Sequence, residues 1–215
     1  MPAVRKGGTA GRPPAPVGRA NGDEAPVRAD LVSPVPDSGT SVAIGFSHHS
    51  GIPYLEALMK NRYTARTFIK PSQKEREQAV RLKLNPIIGH IEGKKVVLVD
   101  DSIVRGTTSK HIVDLMKESG AEEVHVRIGS PPIKAPCYLG VDFPTREELI
   151  AHNRDEEEVR KSITATTLHH ISLPALVGAI GFILIFLFIL MGSILVPESA
   201  ANTGDLYHRL KAPTA

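Results

Sequence analysis

Val96-Val97-Leu98-Val99-Asp100-Asp101-Ser102-Ile103-Val104-Arg105-Gly106-Thr107-Thr108 runs four apolar residues into two carboxylates and then into a Gly/Thr turn. The apolar run is bounded by Lys94-Lys95 before it and the acidic pair after it, which predicts a short buried strand of a parallel sheet. Beyond the turn, Ile112, Leu115 and Met116 recur at helical spacing and Ser119-Gly120 closes the segment, so Thr107 and Thr108 fall at a helix N-terminus. Unpaired backbone N–H groups, the positive end of the helix dipole and two hydroxyls converge there on a point suited to a phosphate. Asp100 and Asp101, at the carboxyl end of the strand, are placed to accept hydrogen bonds from a vicinal diol. Phosphate at one end and diol at the other describe a ribose 5-phosphate.

Outward from this stretch, strand and helix patterns alternate, which predicts an α/β fold with a parallel sheet flanked by helices. Asp30 to Val35 reads as the first strand and Thr40 to His49 as its helix, broken by Gly51. A short strand is expected around Tyr54-Leu55, followed by the polar stretch Lys60 to Pro71, whose few apolar anchors predict a mobile loop. Ser72 with Glu75 predicts a capping box for a helix running to about Leu84, and Thr145 with Glu148 predicts another. Val124, Val126 and Ile128 alternate with polar residues as a further strand.

Composition narrows the function classes. The net charge of +3 is small and the basic residues are scattered, which argues against a nucleic-acid partner. A single cysteine excludes an intramolecular disulfide framework and fits a globular domain in the reducing cytosol. Met1 to Asn21 is rich in Gly, Pro, Ala and Arg without apolar periodicity, so residues 1–22 are expected to be disordered. That stretch has no apolar core of a secretory signal. No Asp, Glu, Lys or Arg lies between Lys161 and Glu198, and Leu176 to Val196 is almost wholly apolar. About twenty such residues suffice to cross a bilayer core of about 30 Å. The expected organisation is therefore a domain over 23–173, a transmembrane helix over 174–197 and a polar tail over 198–215, with the domain on the cytoplasmic side.

The stretch around Asp100-Asp101 resembles the phosphoribosyl pyrophosphate signature of the type I phosphoribosyltransferases. Neighbouring blocks narrow the resemblance to the glutamine phosphoribosylpyrophosphate amidotransferase family. They are Pro34-Val35-Pro36-Asp37-Ser38-Gly39-Thr40, Lys60-Asn61-Arg62-Tyr63-Thr64-Ala65-Arg66-Thr67-Phe68-Ile69, Ser130-Pro131-Pro132-Ile133-Lys134-Ala135-Pro136-Cys137 and Glu147-Glu148-Leu149-Ile150-Ala151. The resemblance runs from about Ala29 to Gly181 and implies a type I phosphoribosyltransferase-like sheet.

It also implies roles. Asp37, Ser38 and Thr40 would lie on the pyrophosphate loop. Asp100 and Asp101, followed by Ser102, would bind the ribose hydroxyls and assist a Mg²⁺ carried by the substrate. Arg105, Gly106, Thr107 and Thr108 would bind the 5-phosphate. Lys60, Arg62, Tyr63 and Arg66 match the family's closing loop, in which Ala65 stands where a glycine is usual. The implied reaction displaces pyrophosphate from phosphoribosyl pyrophosphate with ammonia, the first committed step of purine synthesis, with purine nucleotides as inhibitors. Positioning and electrostatics would carry the rate, and no protein nucleophile is needed.

Two features depart from the family pattern. Nothing corresponds to the family's amino-terminal glutaminase domain, so ammonia would come from solution or a separate glutaminase subunit. Cys137 sits where many members place an iron–sulfur ligand, but a cluster needs about four thiolates and this chain has one. No cluster is expected. The divergent ends admit two accounts, a membrane-anchored transferase domain or a truncated gene with unrelated ends. The domain itself admits an ammonia-dependent enzyme, a non-catalytic nucleotide-binding module or an inactive fragment.

Overall fold

The computed structural model describes residues 16–61, 84–136 and 145–181. From the amino side, α1 (Pro16–Glu24) precedes β1 (Leu31–Pro34), α2 (Thr40–Ser50), β2 (Leu58–Lys60), β3 (Leu84–Pro86), α3 (Ile88–Ile91) and β4 (Lys95–Asp100). Then follow α4 (Thr107–Glu118), β5 (Glu123–Ile128), a 3₁₀ turn (Arg146–Glu148), α5 (Glu156–Ser162) and β6 (Thr167–His170). Residues 173–181 are helical.

Four strands form one sheet in the order β1-β4-β5-β6, every pair parallel. The register sets Val32 beside Val97 and Val97 beside His125. Because β4 is interior and covered on both faces, its apolar run needs no polar alternation. On one face Val96, Leu98, Val124 and Val126 pack with Ile112, Val113 and Met116 of α4 and with Val159 of α5. On the other, Val32, Val97 and Val99 pack with Val42, Ala43 and Phe46 of α2. Burying each such side chain contributes about 1.5–3 kcal/mol. The antiparallel pair β2 and β3 is a separate two-stranded ribbon.

Several expectations need correction. Part of the stretch expected to be disordered is ordered: residues 16–24 form α1. Val17 packs on the α2 side of the core. Asn21 is fully buried and donates from Nδ2 to the Ile128 carbonyl at 2.8 Å, and Asp23 pairs with His49 at 2.7 Å. The tertiary contacts hold a helix that the local composition alone would not. Among the described residues, α1 packs within the same compact unit, which runs to Leu176. Tyr54 makes an isolated parallel bridge to Val32 in place of a strand.

Thr145 makes no side-chain cap, and Arg146–Glu148 is a single 3₁₀ turn, because Leu149 and Ile150 dive into the core immediately after it. The capping box belongs instead to α5, where Asp155 accepts from the Glu158 N–H and Glu158 from the Asp155 N–H. Strand β5 lies between two others, and its polar residues His125 and Arg127 are buried as well. Arg127 satisfies its guanidinium on the Ala25 and Val126 carbonyls and on Thr167 Oγ1. Burial lowers its pKa to about 10.

Among the described residues no helix is long and apolar enough to cross a membrane. Most of the expected span, residues 182–196, lies outside the described residues, as do residues 1–15, the helix expected after Ser72, and Cys137.

Candidate functional site

Parallel pairing of β1 with β4 brings the two loops leaving their carboxyl ends side by side. The first loop is pinned at its start by the Val35 N–H, which donates to the Val99 carbonyl at 2.8 Å. It then lies flat on the end of β4. At Gly39 there is no room for a side chain, since a Cβ would stand 2.2 Å from the Val99 carbonyl oxygen. The Pro36–Asp37 peptide is cis. Asp37 and Ser38 are exposed at the tip, and Thr40 opens α2 with its N–H directed at the Asp37 carbonyl at 3.4 Å.

Ser38 Oγ donates to Asp100 Oδ1 at 3.1 Å, and Lys60 Nζ, at the end of β2, contacts Asp37 Oδ2 at 2.7 Å. Three separate segments therefore converge on one site, and Asp37, Ser38, Lys60 and Asp100 are joined through direct polar contacts. Asp100 Oδ1 also accepts the Asp101 N–H at 2.9 Å. Burial, with the Asp101 carboxyl beside it, pushes the Asp100 carboxyl up to about 7. Two adjacent carboxyls, one half-buried and one exposed, form a site that gains most from hydroxyl donors or a cation, either of which relieves the unfavourable ionised pair.

Past Asp101, Ser102 is half-buried and Ile103 is a core residue that anchors the loop. Gly106 is the N-cap of α4 in the left-handed region, φ 76°, and no side chain caps the helix. The N–H groups of its first turn are therefore left for a ligand. Thr107 and Thr108 are exposed on that turn. The Arg105 side chain points elsewhere, its Nε donating to Glu148 Oε2 at 2.7 Å. Beside the loop is a cleft of about 270 Å³ lined by residues that include Arg105, Thr107, Lys110, His152 and Arg154.

Of the residues expected in the site, Asp37, Ser38, Thr40, Lys60, Asp100, Asp101, Ser102 and Arg105 to Thr108 are described and lie on these adjoining loops. Arg62, Tyr63 and Arg66 lie outside the described residues. Two residues outside the expected site also take part: Glu148, expected only as the capping-box partner of Thr145, holds Arg105, and Ile150 donates its N–H to the Val104 carbonyl at 2.9 Å. Both lie in the block Glu147 to Ala151, which was legible as a block but carries no chemical motif.

A parallel sheet whose strand ends carry an acidic pair, a helix N-terminus and a third loop across them suits a sugar phosphate. The family model described as Phosphoribosyl transferase domain matches residues 32–128 of the chain. Its similarity is more particular than the fold. The amidophosphoribosyltransferase of Methanocaldococcus jannaschii is 59% identical over 165 residues, which cover 77% of this chain and 35% of that protein. The Bacillus subtilis amidophosphoribosyltransferase is 54% identical over 165 residues, covering 77% of this chain and 35% of its own length. A solved structure of the glutamine phosphoribosylpyrophosphate amidotransferase from Bacillus subtilis, complexed with ADP and GMP, superposes with a TM-score of 0.71. Its sequence is 53% identical, covering 78% of this chain and 37% of that one. The chain therefore corresponds to the phosphoribosyltransferase portion of the amidophosphoribosyltransferases and spans about a third of the length of these relatives.

Proposed function

We propose that this chain binds phosphoribosyl pyrophosphate and transfers its phosphoribosyl group to ammonia. The observation that carries the reading is the continuity of Asp100-Asp101 with the uncapped α4 N-terminus, with Asp37, Ser38 and Lys60 across from them. The carboxyls suit the ribose diol, and the first turn of α4 with Thr107 and Thr108 suits the 5-phosphate. Lys60 and the loop at Asp37 and Ser38 suit the diphosphate. In the reaction the anomeric C–O bond to pyrophosphate breaks and a C–N bond to ammonia forms. The attacking nitrogen gives up one proton to solvent. The work of the protein is to hold the ring and neutralise charge on the departing oxygens. Arg62, Tyr63 and Arg66, as the remainder of a closing loop, would complete the enclosure of the diphosphate.

Mg²⁺ fits this site as a passenger of the substrate. Among the described residues no three His, Cys, Asp or Glu side chains converge on a metal position. Asp100 and Asp101 offer a pair of carboxyls, which suits an ion that keeps much of its water and binds few protein groups. Bound there, it would supply counter-charge to the diphosphate.

Ammonia is the nitrogen source in this reading, free or delivered by a separate glutaminase subunit, and purine nucleotides would compete at the same cradle. The Bacillus subtilis relative, solved with ADP and GMP, lends support to nucleotide binding. The apolar sequence Leu176 to Val196 would tether the domain to a membrane with the site on the cytosolic side. The test is ammonium-dependent release of pyrophosphate from phosphoribosyl pyrophosphate with Mg²⁺. Binding without release would leave a nucleotide-binding module, and no binding by the folded chain would overturn the reading.

A further inference from the structure

We infer that the segment Glu148 to Ile150 is the positioning element of the phosphate loop, with Ile150 setting the loop's path and Glu148 holding the Arg105 guanidinium away from the ligand. The inference rests on the proposed sugar-phosphate cradle and assigns its support. Three independent contacts reach the loop from this one segment. The Ile150 N–H donates to the Val104 carbonyl at 2.9 Å. Its side chain fills the space above Gly106, where a Cβ would stand 2.1 Å from Ile150 Cδ1. Glu148 Oε2 accepts from Arg105 Nε at 2.7 Å.

Val104, Arg105 and Gly106, three consecutive loop residues, are thus each fixed from outside the loop. That spacing matters because Gly106 must hold a left-handed conformation, φ 76°, for the chain to enter α4 with its first N–H groups directed outward. Ile150 is buried and is itself anchored, since Leu149 and Ala151 on either side are core residues. It therefore acts as a rigid backstop. If the backstop is trimmed, Gly106 gains room to relax, and the N–H groups of the first turn lose their common focus. The Arg105 contact has a complementary effect. With its guanidinium engaged by Glu148, the loop offers a phosphate backbone N–H groups and hydroxyls of fixed geometry, and a long flexible cation does not compete for the position.

Glu148 and Ile150 line the cleft beside the loop, and their contacts run to Val104, Arg105 and Gly106, so their effect reaches the phosphate through the loop and must be selective. Ribose 5-phosphate engages the phosphate loop. Inorganic pyrophosphate engages the loop at Asp37, Ser38 and Lys60, which rests on β1 and β4 through Val35 and Gly39. The experiment measures the affinity of the full chain for each probe, with Mg²⁺, in wild type, Ile150→Val, Ile150→Ala and Glu148→Gln.

The expected result for Ile150 is a graded loss for ribose 5-phosphate, a few-fold for Val and about tenfold or more for Ala, as fits the loss of one charge-assisted hydrogen bond. Pyrophosphate affinity should be unchanged in all variants. Glu148→Gln should steepen the salt dependence of ribose 5-phosphate binding as the freed Arg105 joins the phosphate. Equal loss of both probes would show a general structural role and overturn the inference, as would unchanged ribose 5-phosphate affinity in Ile150→Ala. A wild-type chain that binds neither probe would overturn the cradle itself, a different result from one that binds both but ignores Ile150. Ile150→Val removes a single methyl group and keeps the test decisive if the alanine variant does not fold.

Discussion

Replacing Asp100 with asparagine should stabilise the free protein at pH 8, with a gain that disappears as pH falls to about 4. The native carboxyl is carried from 3.8 to about 7, first by burial and then by the Asp101 carboxyl. The folded chain therefore prefers the protonated form. The sign follows directly: the stability tied to this group is fully present below about 3.8 and is lost as pH rises to about 7. At about 1.4 kcal/mol per pH unit, the ionised group costs the fold about 4 kcal/mol, and water reaching the loops brings the expected figure nearer 2 kcal/mol. Asparagine keeps the size of the side chain and an Oδ1 able to accept from Ser38 Oγ and from the Asp101 N–H. For a protein of this size the gain corresponds to a rise of about 5 °C in Tm. Thermal unfolding followed by circular dichroism, from pH 4 to pH 8, gives the comparison. A Tm difference that does not change with pH would refute the reasoning, as would a less stable variant at pH 8.

Asp100→Asn combined with Asp101→Asn should weaken phosphoribosyl pyrophosphate binding, at about 1.5–3 kcal/mol for each charge-assisted hydrogen bond lost, measured by calorimetric titration of the folded variant. Lys60→Ala removes an ion-pair partner of Asp37 and should reduce the transfer rate more than the ground-state affinity, which pre-steady-state rates with ammonium would separate. His169 faces Glu156 and Glu24 with Arg127 nearby, and the hydrogen bond to Glu156 raises its pKa above 6.5. The stability it contributes is present below 6.5 and lost above its raised pKa, so His169→Gln should lower Tm at pH 5.5 and have little effect at pH 9. Because Leu176 to Val196 carries no charge, alkaline extraction should leave the full chain in the membrane pellet, and Phe186→Arg should weaken insertion by about 2.5–3.5 kcal/mol if it lies near the bilayer centre.

What could be read from sequence follows how local the signal is. The run Val96 to Val99 with Asp100-Asp101 and Thr107-Thr108 encodes strand, acidic pair and helix start in thirteen consecutive residues, and each is found where that pattern puts it. Arg127 and His125 looked like the outward face of a half-exposed strand. Their burial depends on β6 and α1 packing beside β5, partners separated from it by forty residues or more. Helix α1 was hidden for the same reason: its Gly- and Pro-rich surroundings disfavour a helix, and Asn21 gains its partner only from the end of β5. The support of the phosphate loop was the least legible feature. Glu148 and Ile150 are unremarkable in composition, and their role depends on meeting Arg105, Val104 and Gly106 across more than forty residues of chain.

The central claim is the sugar-phosphate cradle, and calorimetric titration of phosphoribosyl pyrophosphate with Mg²⁺ into the full chain tests it most directly. The account predicts saturable binding that is strongly weakened when Asp100 and Asp101 are both replaced by asparagine in a variant of unchanged fold. A folded wild-type chain without saturable binding, or a double variant with wild-type affinity, would contradict it.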